Sequence, residues 1–157
     1  MDTIRIRPLQ AHDADDVWRI FRLITKSAVL IDYTQALEDH LASHTSASFV
    51  AESGGRVVGF MFGTIIACGF GLLDKSAWIT MLGVDPEYMG QGIGKRLAEA
   101  IFSQCKEKGI NTVYSSVLWD AGDLLSFFKT LGFTRCDFIN LQKRGLVSLE
   151  SNAAELR

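Results

Sequence analysis

Gly90, Gly92 and Gly94 fall within five residues, in the run "GQGIGKR", and Lys95 and Arg96 follow at once. Glycine reaches positive φ without strain and puts no side chain between a backbone N–H and a ligand. Beyond Gly92, the residues Ile93, Leu97, Ile101 and Cys105 recur every four positions, which predicts a helix ending at Gly109. A helix start leaves about four N–H groups without partners and carries the positive end of the macrodipole. Bare backbone leading into such a start suits a phosphate or pyrophosphate, with Lys95 and Arg96 expected to add mobile positive charge at the rim. The structural alternative is a tight strand-to-helix turn with no ligand. Two known phosphate loops fail on spacing. A P-loop requires Gly where Met89 stands and Ser or Thr where Arg96 stands, and the dinucleotide pattern requires a third Gly at Lys95. The loop therefore favours neither ATP nor NAD.

Other reactive side chains are sparse. His12, His40 and His44 lack metal-ligand spacing, so no metal site is expected. Cys68, Cys105 and Cys136 are odd in number and far apart, which fits reduced thiols, mostly in the core. A net charge of -2 over 157 residues gives no reason to expect nucleic acid or an anionic membrane as partner. The N-terminus lacks the apolar run of a signal peptide, and no run reaches the ~20 residues that span a bilayer, so a cytoplasmic protein is expected.

The elements that must hold the glycine run follow from periodicity. "IRIR" alternates until Pro8, predicting a strand over Ile4 to Arg7. Val17, Ile20, Phe21 and Ile24 share a helical face behind a cluster of aspartates, and a second helix is expected over Thr34 to Ala42, with Thr34 as its cap. The period then becomes two. "ASFVAE", the turn "SGGR" and "VVGFMFGTII" read as a hairpin, with "AWITMLGV" as a further antiparallel strand. "ACGFGLLDKS" reads as a mobile loop, "NTVYSSVLW" as a strand, and "DLLSFFKTLGF" as a short helix with Leu124, Phe127, Phe128 and Leu131 on one face. One or two closing strands are expected in "FTRCDFINLQKRGLVSL". The order predicts a mixed α/β sheet, because hairpins and helical crossovers both occur.

"GVDPEYMGQGIGKRLAEAIF" resembles the acetyl-CoA-binding segment of the GCN5-related N-acetyltransferase superfamily, whose pattern is [QR]-x-x-G-x-[GA] after a strand ending in V-x-P. "IRPLQAHDADDVWRIF", "FVAESGGRVVGFMFG" and "FFKTLGF" resemble the family's first strand and helix, its hairpin and its later Y-x-x-x-G-F element. The resemblance implies a three-layer fold with a central mixed, mostly antiparallel sheet flanked by helices, as one domain over 1–148 with a tail over 149–157. It implies acetyl-CoA as cosubstrate, with Leu82, Gly83 and Val84 along the pantetheine arm. Met89, Gly90, Gln91, Gly92, Ile93, Gly94 and Lys95 would surround the pyrophosphate, and Phe128 would lie beside the thiol end. The implied reaction is acetyl transfer to a primary amine of a small molecule or protein in a direct ternary complex, and the family often forms homodimers.

The sequence departs from the family where protons move. The family's first loop residue, Gln or Arg, is Met89 here, and a frequent Asn is replaced by Ala121. The tyrosine that protonates the departing thiolate is Phe128, which has no proton to give. The strand "AWITMLGV" carries no acid, and Ser116 stands where one branch of the family has glutamate. Substitutes within the chain are Asp120, Asp74, Tyr114, Tyr33, or a water held by Ser115 or Ser116. Asp120 has the competing reading of a helix cap, Asp74 of a solvated charge, and Tyr114 of a strand residue. Trp78 and Trp119 are candidates for an acceptor pocket or for the core. Alignment of donor and amine alone contributes several kcal/mol, so transfer survives the loss of one proton-transfer group. The rival reading is a non-catalytic acyl-CoA-binding regulatory or interaction module.

Overall fold

The computed structural model describes residues 3–26, 33–67 and 74–146. In chain order these form β1 (Arg5–Pro8), α1 (Ala14–Thr25), α2 (Tyr33–Ala42), β2 (Phe49–Ser53), β3 (Arg56–Ile66), β4 (Ser76–Val84), α3 (Ile93–Glu107), β5 (Val113–Ser115) and α4 (Gly122–Thr130). The sheet runs β1-β2-β3-β4-β5, with antiparallel neighbours up to β4 and a parallel β4–β5 pair. Parallel neighbours need a crossover, and α3 supplies it.

Apolar residues face both ways along β3, as expected of a strand covered on two sides. Val58 and Met61 join Ile93, Leu97, Ile101 and Phe128 beneath α3 and α4. Val57, Phe60 and Phe62 join Val17, Ile20 and Leu37 beneath α1 and α2. The result is three layers. The α1 helix comes close to β4 because Gly83 has no side chain: a Cβ there would lie 2.5 Å from Ile24 Cδ1 and 2.8 Å from Phe60 Cε1.

Some expectations differ from the fold. Thr34 does not cap α2, which already begins at Tyr33. The fifth strand covers only Val113–Ser115, because β4 stops pairing with it at Ile79. No strand forms over 134–146, so the closing strands are absent among the described residues. The tail leaves Ile139, Leu141 and Leu146 exposed instead of pairing them. The expected boundary at 148, the 149–157 tail, Cys68 and most of the 67–76 loop lie outside the described residues. Cys105 is buried as expected, but Cys136 is exposed.

Away from the glycine run, Arg7 on β1 forms a forked pair with Asp13, both nitrogen–oxygen distances being 2.8 Å, and its Nε donates to Glu52 at 2.8 Å. Burial works to raise the Asp13 carboxyl, but hydrogen bonds from Arg7 and from the Gln10 N–H outweigh it and hold the group below its ordinary value. A folded value below the unfolded one contributes stability that is complete above the unfolded pKa and is lost as pH falls through the folded one. Melting followed from pH 7 downward should therefore drop from about pH 4, the ordinary aspartate range. In Asp13→Asn that drop should be shallower, from a lower starting temperature. An unchanged acid slope would remove Asp13 from the account.

Candidate functional site

The β4 and β5 strands pair only at Ala77–Val113, Trp78–Tyr114 and Ile79–Ser115. There they part: β4 continues along β3 to Val84, while the chain leaves β5 at Ser115. Ser115 closes the narrow end, its hydroxyl donating to the Ile79 carbonyl at 3.0 Å. Thr80 sits at the same level as an extra residue, since Phe62 pairs with Met81 and Gly63 with Ile79. Such a bulge re-aims the strand beside a site.

Hydrogen-bond alternation fixes what β4 offers to this opening. The Asp85 N–H donates to the Val58 carbonyl at 2.9 Å, and Val84 lies opposite Gly59. Backbone groups of antiparallel strands alternate between partner and outside. Gly83 therefore spends its N–H and carbonyl on β3, whereas those of Leu82 and Val84 point to the open edge. Their side chains pack against the α3 layer. Of the three expected pantetheine residues, Leu82 and Val84 present backbone groups at the open edge, while Gly83 bonds to β3 and leaves room for Ile24 of α1.

The open edge leads into the glycine run, where the three glycines have different jobs. Gly90 and Gly92 have φ of 78° and 73°, and a Cβ built on either meets nothing within 4 Å. They are required by the backbone path and stand beside open space. Gly94 lies inside α3, and a Cβ there would sit 3.0 Å from Cε2 of Phe127. Its missing side chain makes room for the α4 ring, while its backbone N–H remains at the helix start. The first helical bond runs from Arg96 N–H to the Gly92 carbonyl at 3.1 Å, so the N–H groups of Ile93, Gly94 and Lys95 have no partner within the helix. Free N–H groups, two left-handed glycines and open space together fit an anionic pyrophosphate.

The flanking residues divide. Met89 and Gln91 are exposed, while Ile93 is buried under the sheet. Lys95 is exposed, with Nζ 3.8 Å from Glu99 Oε1. Arg96 is not at the rim: its Nη2 donates to the Ile4 carbonyl beside β1 at 2.9 Å. Lys95→Ala should weaken acetyl-CoA binding about two- to fivefold at low salt and less at high salt, because an exposed charge is screened. Titration at two ionic strengths checks this, and a loss independent of salt would contradict it.

The candidate acid and base positions are scattered, and the two in the family's places, Phe128 and Ser116, carry neither a carboxylate nor a phenol. Phe128 is 4% exposed and packs edge-on to Phe133 at 4.9 Å and Phe127 at 5.5 Å. Ser116 is exposed and accepts a hydrogen bond from Asn140 Nδ2 at 3.1 Å. Asp74 and Asp120 are exposed. Asp120 does not cap α4 with its carboxylate; its backbone carbonyl accepts from the Gly122 N–H at 3.0 Å. Tyr33 opens α2, and its side chain is not among those described. Tyr114 stacks on Trp78 at 5.1 Å and meets Phe138 edge-on at 5.5 Å, in a row one residue from the point where β4 and β5 part. Trp119, by contrast, is 96% exposed. His12 is exposed beside Asp13, His40 shares a hydrogen bond with Ser48 at 2.7 Å, and His44 is exposed. Among the described residues, no group of three His, Cys, Asp or Glu side chains could hold a metal ion.

Sequence reasoning missed two features. Nothing in "AWITML" announces the bulge at Thr80. The other is the ion pair of Arg19 Nη1 with Asp85 Oδ2 at 2.5 Å; Asp before Pro marks the turn that Asp85 starts, but not its partner 66 positions away.

A mixed sheet that opens between a parallel pair, with helices on both faces, is the fold of the N-acetyltransferases. The structure superposes on an aminoglycoside N-acetyltransferase solved in complex with CoA with a TM-score of 0.79 at 16% identity, over 92% of this chain and 96% of that one. Residues 14–133 match the Acetyltransferase (GNAT) family, and the chain belongs to it. It is 34% identical over 83 residues to mycothiol acetyltransferase of Arthrobacter sp. (strain FB24), a match covering 53% of this chain and 25% of that protein. It is 26% identical over 145 residues to mycothiol acetyltransferase of Pseudarthrobacter chlorophenolicus, covering 85% of this chain and 43% of that protein. The matches thus span from a quarter to under half of the length of these relatives.

Proposed function

We propose that the chain transfers an acetyl group from acetyl-CoA to a primary amine in a direct ternary complex. The observation that carries this is the free edge of β4, with Leu82 and Val84 facing an opening that ends at the Gly90–Gly92 turn. Leu82 and Val84 would bind the pantetheine arm as an added strand would be bound, and the N–H groups from Gly90 to Lys95 would hold the pyrophosphate. The amine nitrogen attacks the thioester carbonyl, the carbon–sulfur bond breaks, and the sulfur leaves with the electron pair. A backbone N–H of β4 near Leu82 stabilises the charge that develops on the carbonyl oxygen. One proton leaves the amine and one reaches the thiolate. With Phe128 in the usual acid's place, water at the open end carries the latter. The aromatic row of Trp78, Tyr114 and Phe138 supports an acceptor whose amine is borne on an apolar or flat body. Small molecule and protein acceptors both fit that description. Among the described residues no helix is long and apolar enough to cross a membrane. A cytoplasmic location and a homodimer belong to the same proposal, as expectations from the sequence and the family resemblance.

The rival reading, a non-catalytic acyl-CoA-binding module, is favoured by Phe128 and Ser116 standing where proton-transfer groups are expected. Calorimetric titration with acetyl-CoA, CoA and NAD, followed by thiol release against a panel of amines, tests both. Binding of acetyl-CoA with release for some amines supports transfer. Binding without release across the panel supports the module, and no binding overturns both.

A further inference from the structure

We propose that Arg19 on α1 is a positioning residue for the acetyl-CoA loop, acting through Asp85. This rests on the reading of that loop given above. The Arg19 guanidinium reaches three acceptors on three elements. Its Nη1 lies 2.5 Å from Asp85 Oδ2, its Nη2 donates to the Val57 carbonyl at 2.8 Å, and its Nε donates to Asp16 Oδ1 at 3.1 Å. Asp16 in turn accepts from the Val57 N–H at 3.0 Å. The first turn and a half of α1 is thereby tied to the start of β3 and the end of β4.

Asp85 is the point from which the loop departs, and each of its polar groups is engaged. Its N–H is bonded to the Val58 carbonyl, its carbonyl accepts from the Tyr88 N–H at 2.8 Å, and its Oδ1 accepts from the Glu87 N–H at 3.1 Å. Oδ2 is left for Arg19. Downstream, the backbone from Met89 to Gly92 makes one main-chain bond as donor among the described residues, Met89 N–H to the Pro86 carbonyl at 3.4 Å. The path of Gly90 and Gly92 is therefore set from its ends, by Asp85 on one side and α3 on the other.

Arg19 has a second effect through charge. Asp85 is 5% exposed. Burial works to raise its carboxyl, yet hydrogen bonds from Arg19 and the Glu87 N–H hold it below its ordinary value. The group is ionised a few residues from backbone that we assign to an anion. Arg19 cancels a charge that would otherwise repel pyrophosphate, and without it a carboxylate would be left buried and uncompensated.

The test compares Arg19→Ala, Arg19→Lys and Asp85→Asn with Arg7→Ala, which removes an arginine from an ion-pair cluster on β1 instead of α1. Three readouts are taken: melting temperature, acetyl-CoA affinity by calorimetry below the melting range, and the backbone amide resonances of Gly90 and Gly92 without ligand. Arg19→Ala should weaken acetyl-CoA by about 10- to 100-fold, the scale of losing one hydrogen bond to a charged group, and shift both glycine amides. Arg19→Lys should recover part of the affinity, and Asp85→Asn should also shift the amides. Arg7→Ala should lower melting with affinity within about twofold of the parent, since a lost ion pair elsewhere acts on stability alone. Unmoved amides, with affinity in Arg19→Ala no weaker than in Arg7→Ala, would overturn the proposal. If Arg19→Ala does not fold, Arg19→Lys and Asp85→Asn decide it. If the parent does not bind acetyl-CoA, the functional reading fails, while the amide shifts still decide whether Arg19 sets the loop.

Discussion

Gly92→Val is expected to reduce acetyl-CoA affinity by about 100-fold or more, the scale of losing one or two hydrogen bonds to a charged group. Gly92 has φ 73° and precedes the first residue of α3. A β-branched residue at such an angle is strained by about 1–3 kcal/mol, so either the backbone rotates and re-aims the free N–H groups, or it holds and projects a side chain into the open space beside them. Both outcomes remove the anion site. The strain should lower the melting temperature by roughly 2–10 °C without loss of cooperativity, because nothing lies within 4 Å to collide with. Gly94→Ala is the informative partner. Its φ is helical, and its added methyl presses on Phe127, so it should disturb the α3–α4 contact more than the binding of acetyl-CoA. Calorimetry and melting on both variants separate the two roles. Parent-like affinity in folded Gly92→Val would leave the glycine run as a turn only.

The contrast between these glycines shows what was legible in the sequence. Spacing alone identified a bare helix start, and among the described residues periodicity placed the four α-helices and the three long strands to within a few residues, but not the short 3-10 turns at Ala11–Asp13 and Pro86–Tyr88. It could not separate Gly94 from Gly90 and Gly92, because the difference lies in a ring thirty-three positions away. Nor could it place Arg96, whose partner is a carbonyl near the N-terminus. Both are long-range contacts that leave no local period.

The strand edges were legible only in part. "AWITMLGV" reads as one strand, and it is one on its β3 side. On its β5 side it pairs through Ile79 and is then free, and that half-pairing makes the candidate site. A pattern of alternating residues reports burial of side chains, not the occupancy of backbone edges. For the same reason "FTRCDFINLQKRGLVSL" reads as one or two closing strands although residues 134–146 form none. What holds Phe138 and Asn140 near β5 is a ring contact with Tyr114 and a side-chain bond to Ser116.

Phe128→Tyr is expected to raise turnover by about tenfold against an amine that the parent accepts, at unchanged acetyl-CoA affinity. General acids typically contribute 100- to 10,000-fold, and a newly placed hydroxyl should recover a fraction of that. The added group changes one step, protonation of the departing thiolate, so the gain should appear in kcat and be largest for amines whose attack is fast. Structure sets the accompanying loss. Phe128 is buried among Phe127, Phe133 and the residues beneath α3, so without ligand its new hydroxyl is largely removed from water. A buried hydroxyl without a good partner costs about 1–3 kcal/mol, which for a chain of this size lowers melting by roughly 2–10 °C. Bound acetyl-CoA should return part of that loss by giving the hydroxyl an acceptor, so the ligand should raise the melting temperature more in the variant than in the parent. Steady-state kinetics and melting with and without acetyl-CoA measure all of these quantities. A folded variant that binds acetyl-CoA but gains neither turnover nor the extra ligand stabilisation would show that the missing tyrosine is not what limits this site. The module reading would then be the stronger account of why phenylalanine stands there.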